Sequence, residues 1–90
     1  MTVLTKSFTI PNKLGLHARA AAQLVKAANR FGSEITLATK KQSVNAKSIM
    51  GVLMLAASQG TKISVKVEGK DAAEALGAIE ALIENKFGEE

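Results

Sequence analysis

Residues 61–83, TKISVKVEGKDAAEALGAIEALI, carry two hydrophobic periods back to back. Ile63, Val65 and Val67 alternate with Ser64 and Lys66, which is the two-residue period of a strand buried on one side. Gly69-Lys70 turns the chain. Asp71 with Glu74 three residues on has the form of a capping box. Ala72, Leu76, Ile79 and Ile83 then supply the apolar stripe of a helix ending near Phe87-Gly88. A half-wet strand followed at once by an amphipathic helix predicts a sheet with helices packed on one face.

The rest of the chain repeats these two periods. Residues 3–10 read as a strand with Leu4, Phe8 and Ile10 on one face and Lys6 as the exception, stopped by Pro11 and Asn12. Gly15 sits in a short loop. Over residues 17–31 the pattern turns helical, with Ala21, Leu24, Val25 and Ala28 in one stripe and Gly32 as the expected C-terminal cap. Ile35 and Leu37, alternating with Glu34 and Thr36, predict a second strand. A third is expected over residues 42–45, beyond Lys40-Lys41. Ser48 then opens a brief apolar helix, IMGVLMLAA, expected to close at Gly60. The order β-α-β-β-α-β-α implies an α+β, two-layer domain over residues 1–90, with helices on one face of an antiparallel sheet.

Composition bounds what such a domain can do. Ninety residues support one core, and the absence of cysteine removes disulfides and thiolate metal sites. The first ten residues alternate instead of forming an apolar run, and nothing approaches the ~20 apolar residues of a membrane span. A cytoplasmic protein is expected. The net charge of +4 favours acidic surfaces or phosphate. With no Trp or Tyr and three Phe, base-stacking nucleic-acid modules are disfavoured.

His17 is the only histidine, which removes Cys–His nucleophile pairs and metal sites built on several imidazoles. It lies at a loop-to-helix junction, in Leu14-Gly15-Leu16-His17-Ala18-Arg19. The first N–H groups of a helix lack intrahelical partners and carry partial positive charge, so the position favours phosphate and a neutral, nucleophilic ring. Arg19 is placed to bring a guanidinium to phosphate oxygens, and Gly15 is expected to leave the approach open. The plainer alternative is a helix cap beside a solvated arginine. Ser48 has two readings as well: an N-cap, or a phosphorylation site that a helix N-terminus tolerates. Val52 and Leu55 suffice for the buried stripe of the helix it opens. Ile49, Met50, Leu53 and Met54 are then expected to face outward around Gly51, unless the helix is buried on most sides.

These residues also carry a likeness. Gly15-Leu16-His17-Ala18-Arg19-Ala20-Ala21-Ala22 resembles the active-site signature of the HPr family, the histidine phosphocarriers of the bacterial phosphoenolpyruvate-dependent phosphotransferase system. Val44-Asn45-Ala46-Lys47-Ser48-Ile49-Met50-Gly51-Val52 resembles the family's regulatory serine segment, and Gln59-Gly60-Thr61 with the following strand also matches. The resemblance implies an open-faced sandwich with sheet order 1-4-2-3. It implies that His17 carries phosphate on Nδ1, received from enzyme I and passed to an enzyme IIA, with Arg19 assisting. Ser48 would be the target of an HPr kinase/phosphorylase. The docking face would include Ala18 and Gln23 from the first helix, with Lys47, Ile49, Met50, Gly51 and Leu53 around the second. No cofactor is implied beyond a phosphoryl group drawn ultimately from phosphoenolpyruvate, and no metal, nucleic acid or membrane. The chain would be a monomeric carrier and not an independent enzyme. Ala20 stands where sugar-system members usually have proline, so the stretch 12–20 looks more like proteobacterial members, including the nitrogen-related NPr branch. Two other classes remain: a regulatory binding module acting through Ser48 with His17 idle, and a small basic domain binding RNA or a small ligand.

Overall fold

The computed structural model describes residues 2–89. In chain order these form β1 (Val3–Thr9), α1 (Ala18–Ala28), β2 (Glu34–Ala38), β3 (Ser43–Asn45), α2 (Ile49–Leu55), β4 (Lys62–Glu68) and α3 (Ala72–Glu84). A single 3-10 turn, Lys86–Gly88, follows. The strands make one antiparallel sheet in the order β1-β4-β2-β3, so β4 is central. Its register places Val65 between Lys6 and Leu37, and Val67 between Leu4 and Ile35. Because strand side chains alternate, Ile63, Val65 and Val67 are buried under the helices while Lys62 and Lys66 lie on the open face. The core between the layers is closed by Ala21, Leu24, Val25 and Ala28 of α1, Val52 and Leu55 of α2, and Ile79 and Ile83 of α3.

Lys6 lies on the helix-facing side of an edge strand. Its ammonium crosses the Phe8 ring at 5.6 Å from the centroid and pairs with Glu80 of α3. A charge turned inward at a sheet edge deters pairing with a further strand.

Four local expectations are corrected by tertiary contacts. Asp71 makes no cap of its own helix. Its carboxylate instead accepts from the Gly32 and Ser33 N–H groups, each at 3.0 Å, and from the Ser33 hydroxyl. Those donors, the hydroxyl foremost, hold its carboxyl below the usual range. Gly32 is accordingly part of that loop and not the cap of α1, which ends at Ala28 with Asn29 in a right-handed conformation. Helix α2 stops at Leu55, and Ala56 takes the left-handed conformation at φ 52°. That turn lets the Ala57 carbonyl accept from the Leu16 N–H at 2.8 Å, while Gly60 serves the turn before β4. In α3 Ala75 is buried with Ala72, Ile79 and Ile83 while Leu76 is only half-buried, and the helix ends at Glu84 before the 3-10 turn.

Candidate functional site

The loop before α1 is built from its backbone outward. Ile10 anchors it, exchanging bonds of 2.9 Å with Thr61 and Gly60. Asn12 is fully buried, and its Nδ2 donates to the Gly15 carbonyl at 2.8 Å. Gly15 has φ +66°, and a Cβ there would lie 2.4 Å from the Ala57 carbonyl oxygen. Glycine is therefore required by the close approach of residues 57 and 58, and not, as the sequence suggested, to leave room for a partner. The loop clamps onto the end of α2 and delivers His17 to the position just before α1.

His17 is the N-cap of that helix, and its Nδ1 accepts from the Arg19 N–H at 3.3 Å. On the opposite side of the ring, Nε2 meets a carboxylate oxygen of Glu89, which arrives from the C-terminal turn. An N–H donor on Nδ1 and a carboxylate on Nε2 assign the tautomer: the proton is on Nε2 and the lone pair on Nδ1. That lone pair points at the helix N-terminus. The second Glu89 oxygen accepts from Asn12 at 2.9 Å. Asn12 first, then His17 and the charge of Arg19, hold the Glu89 carboxyl below the ordinary range.

Arg19 is exposed and lines a shallow hollow with Lys13, Leu14, His17, Ala18 and Glu89. Two cations, one carboxylate, a helix start and the unprotonated Nδ1 thus share one opening. Sequence reasoning missed Leu14, whose side chain is 69% exposed beside His17, and the Asn12–Glu89 pair. Leu14 was visible as an apolar residue in a turn-rich loop. Nothing local marks Glu89, 72 residues from His17.

Ser48 is the N-cap of α2, with Oγ accepting from the Gly51 N–H at 3.1 Å. Helices α1 and α2 pack against each other and run antiparallel: the start of α1 is tied to Ala57, and Asn29 at its end reaches the Lys47 carbonyl. His17 and Ser48 therefore lie at opposite ends of the pair. Between them Ile49, Met50 and Met54 are 47%, 67% and 64% exposed. Leu53, expected outside, is half-buried against the core. Gln23 is half-buried and Ala18 exposed, while the Lys47 ammonium is occupied by the Phe31 carbonyl at 2.8 Å.

Known proteins resemble this chain over nearly its whole length. The sequence profile of the family described as "PTS HPr component phosphorylation site" matches residues 4–85. The phosphocarrier protein HPr of Xylella fastidiosa (strain Temecula1) is 53% identical over 88 residues, covering 98% of this chain and 99% of its own. The phosphocarrier protein NPr of Shewanella violacea is 46% identical over 89 residues, covering 99% and 98%. The crystal structure of HPr from Thermoanaerobacter tengcongensis superposes with a TM-score of 0.90 at 48% identity, covering 100% of this chain and 99% of that one. The chain belongs to the HPr family, the phosphocarrier components of the phosphotransferase system.

Proposed function

We propose that His17 accepts a phosphoryl group on Nδ1 from phospho-enzyme I and passes it to an enzyme IIA. The observation that carries this reading is the unprotonated Nδ1 facing the N-terminus of α1. In the transfer, the Nδ1 lone pair forms the bond to phosphorus as the donor's bond breaks, and the Nε2 proton stays in place. The phosphoryl oxygens then take over the first-turn N–H groups, Arg19 N–H among them, that have no acceptor within the helix. The Arg19 guanidinium supplies a second, charge-assisted donor. Neither metal nor cofactor enters this step.

Relatives named HPr and NPr both match over nearly the whole chain, so the proposal rests on the phosphoryl chemistry common to sugar uptake and nitrogen-related regulation. The carrier is taken to work as a cytoplasmic monomer whose docking face comprises the start of α1 and the exposed side of α2. Ser48 is the proposed target of an HPr kinase/phosphorylase, since a phosphate there would sit at the start of α2 and beside that face. A second reading, a regulatory module acting through Ser48 alone, is favoured by the exposed Ile49, Met50 and Met54. Incubation with enzyme I and phosphoenolpyruvate, followed by intact-mass measurement, separates the two. One acid-labile phosphoryl group is expected on the native chain. A chain that gains none is not a carrier.

A further inference from the structure

The C-terminal turn carries the Glu89 carboxylate across to Asn12 and His17. Phe87 is buried and anchors it, with Lys86, Phe87 and Gly88 at φ 53°, 56° and 77°. Two successive non-glycine residues in the left-handed region are costly and persist only where surrounding contacts enforce them. Here those contacts end on Glu89, held by the Asn12 amide on one oxygen and the His17 ring on the other. Asn12 cannot be turned the other way, because both of its Nδ2 partners, the Gly15 carbonyl and Glu89, are acceptors. Its own Oδ1 has no partner among the described residues, so the amide is committed to holding the loop and the carboxylate.

We infer that Glu89 is a positioning residue for phosphoryl transfer: it fixes the Nε2-protonated tautomer of His17 and stabilises the positive charge that the ring acquires when Nδ1 bonds phosphorus. The inference rests on the carrier reading of His17. A neutral imidazole that gives its Nδ1 lone pair to phosphorus becomes a phosphoimidazolium, and its cationic edge is the Nε2–H. Glu89 faces that edge, and of the charged groups around the ring only it bonds Nε2. Arg19 from α1 and Lys13 from the loop line the other parts of the hollow. The carboxylate also keeps the Nε2 proton on the phosphorylated ring. That proton maintains the N–P bond as a good leaving bond for the next acceptor, and no proton has to move in either half of the exchange.

The test uses the full chain labelled with nitrogen-15 at histidine, as the native protein and as Glu89→Gln and Glu89→Ala. In the unphosphorylated native chain the His17 nitrogen shifts are expected to report a protonated Nε2 and an unprotonated Nδ1. Glu89→Ala is expected to mix the tautomers, whereas the glutamine oxygen retains the bond without the charge. Single-turnover acceptance from phospho-enzyme I is expected to slow roughly five- to tenfold in Glu89→Gln, the difference between a charge-assisted and a neutral contact. Donation to enzyme IIA by phosphorylated Glu89→Gln is expected to fall off at lower pH than donation by the native chain. Melting temperatures within a few degrees of native separate this from loss of folding. Unchanged tautomer in Glu89→Ala together with unchanged rates and pH profile in both variants overturns the role. A native chain that shows the expected tautomer but takes no phosphate overturns the carrier reading instead.

Discussion

The starts of α1 and α2 solve the same problem with different materials. Each is an N-cap whose side chain accepts a backbone N–H from the first turn: Nδ1 of His17 from Arg19, Oγ of Ser48 from Gly51. The Ser48 cap is local, complete within four residues, and closer at 3.1 Å than the 3.3 Å contact of His17. The His17 cap is assembled from separate parts of the chain: the Asn12–Gly15 loop, the Ala57 carbonyl and Glu89. Serine is the better cap and gains helix stability cheaply. Histidine is a middling one held in place by distant groups, so at α1 the fold uses its contacts to orient a nitrogen.

The largest break in that contrast is His17→Ala. It is expected to abolish phosphoryl acceptance outright, read by intact mass after incubation with enzyme I and phosphoenolpyruvate. The stability cost is expected to be no more than about 1 kcal/mol, because the lost cap is long and partly exposed. An acid-labile phosphoryl group on the variant would overturn the assignment. Next in size is Arg19→Ala, expected to slow transfer by about one to two decades, the worth of a charge-assisted contact of roughly 1.5–3 kcal/mol made mainly in the transition state. Folding is expected to be nearly untouched, since the side chain is exposed and makes no ion pair among the described residues. Lysine is expected to restore part of the rate, as it lacks the planar fork. Single-turnover kinetics check both.

The difference between the two helix starts also shows where sequence is readable. Ile63, Val65 and Val67 announce β4 because strand periodicity is a property of neighbours, and β4 is central, with its helix-facing side fully covered. The Ser48 cap was legible for the same reason: serine, its helix and its bond lie together. Asp71 was misread because its pattern fits a local box, while the loop after α1 offers three donors to the same carboxylate. Gly15 was recognised as a loop residue but given the wrong purpose, since the backbone it admits belongs to residues 57 and 58. Half of the site was visible in Gly15-Leu16-His17-Ala18-Arg19. The other half, Asn12 and Glu89, meets only when β1 and the end of α3 come together through the sheet, a contact no local window contains.

Ser48 tests the local side of the contrast. Ser48→Ala is expected to cost about 1 kcal/mol, a typical price for an N-cap, which lowers the melting temperature by roughly 4–8 °C in a domain of this size. Ser48→Asp keeps an acceptor for the Gly51 N–H and adds a charge that the helix start tolerates, so its melting temperature is expected to stay near native. Its transfer rate from phospho-enzyme I is expected to fall severalfold if the proposed docking face lies beside that charge. Native kinetics in Ser48→Asp would leave Ser48 a cap and nothing more.

The smallest effects sharpen what lies between the two caps. Met50 is among the most exposed apolar side chains of the molecule, whereas its neighbour Leu53 is half-buried against the core. Met50→Gln is therefore expected to change stability by no more than about 0.5 kcal/mol. Leu53→Gln removes packing and buries an amide, and is expected to cost more, toward the 2–5 kcal/mol seen when a buried leucine is cut back. If the exposed side of α2 docks enzyme I, Met50→Gln raises the apparent KM with kcat unchanged, because the residue contributes binding and touches nothing that reacts. One melting curve and one kinetic titration per variant decide the point. A Met50→Gln protein with native stability and native KM would remove this part of α2 from the docking face and leave recognition to the start of α1, where Leu14 and Ala18 flank the histidine.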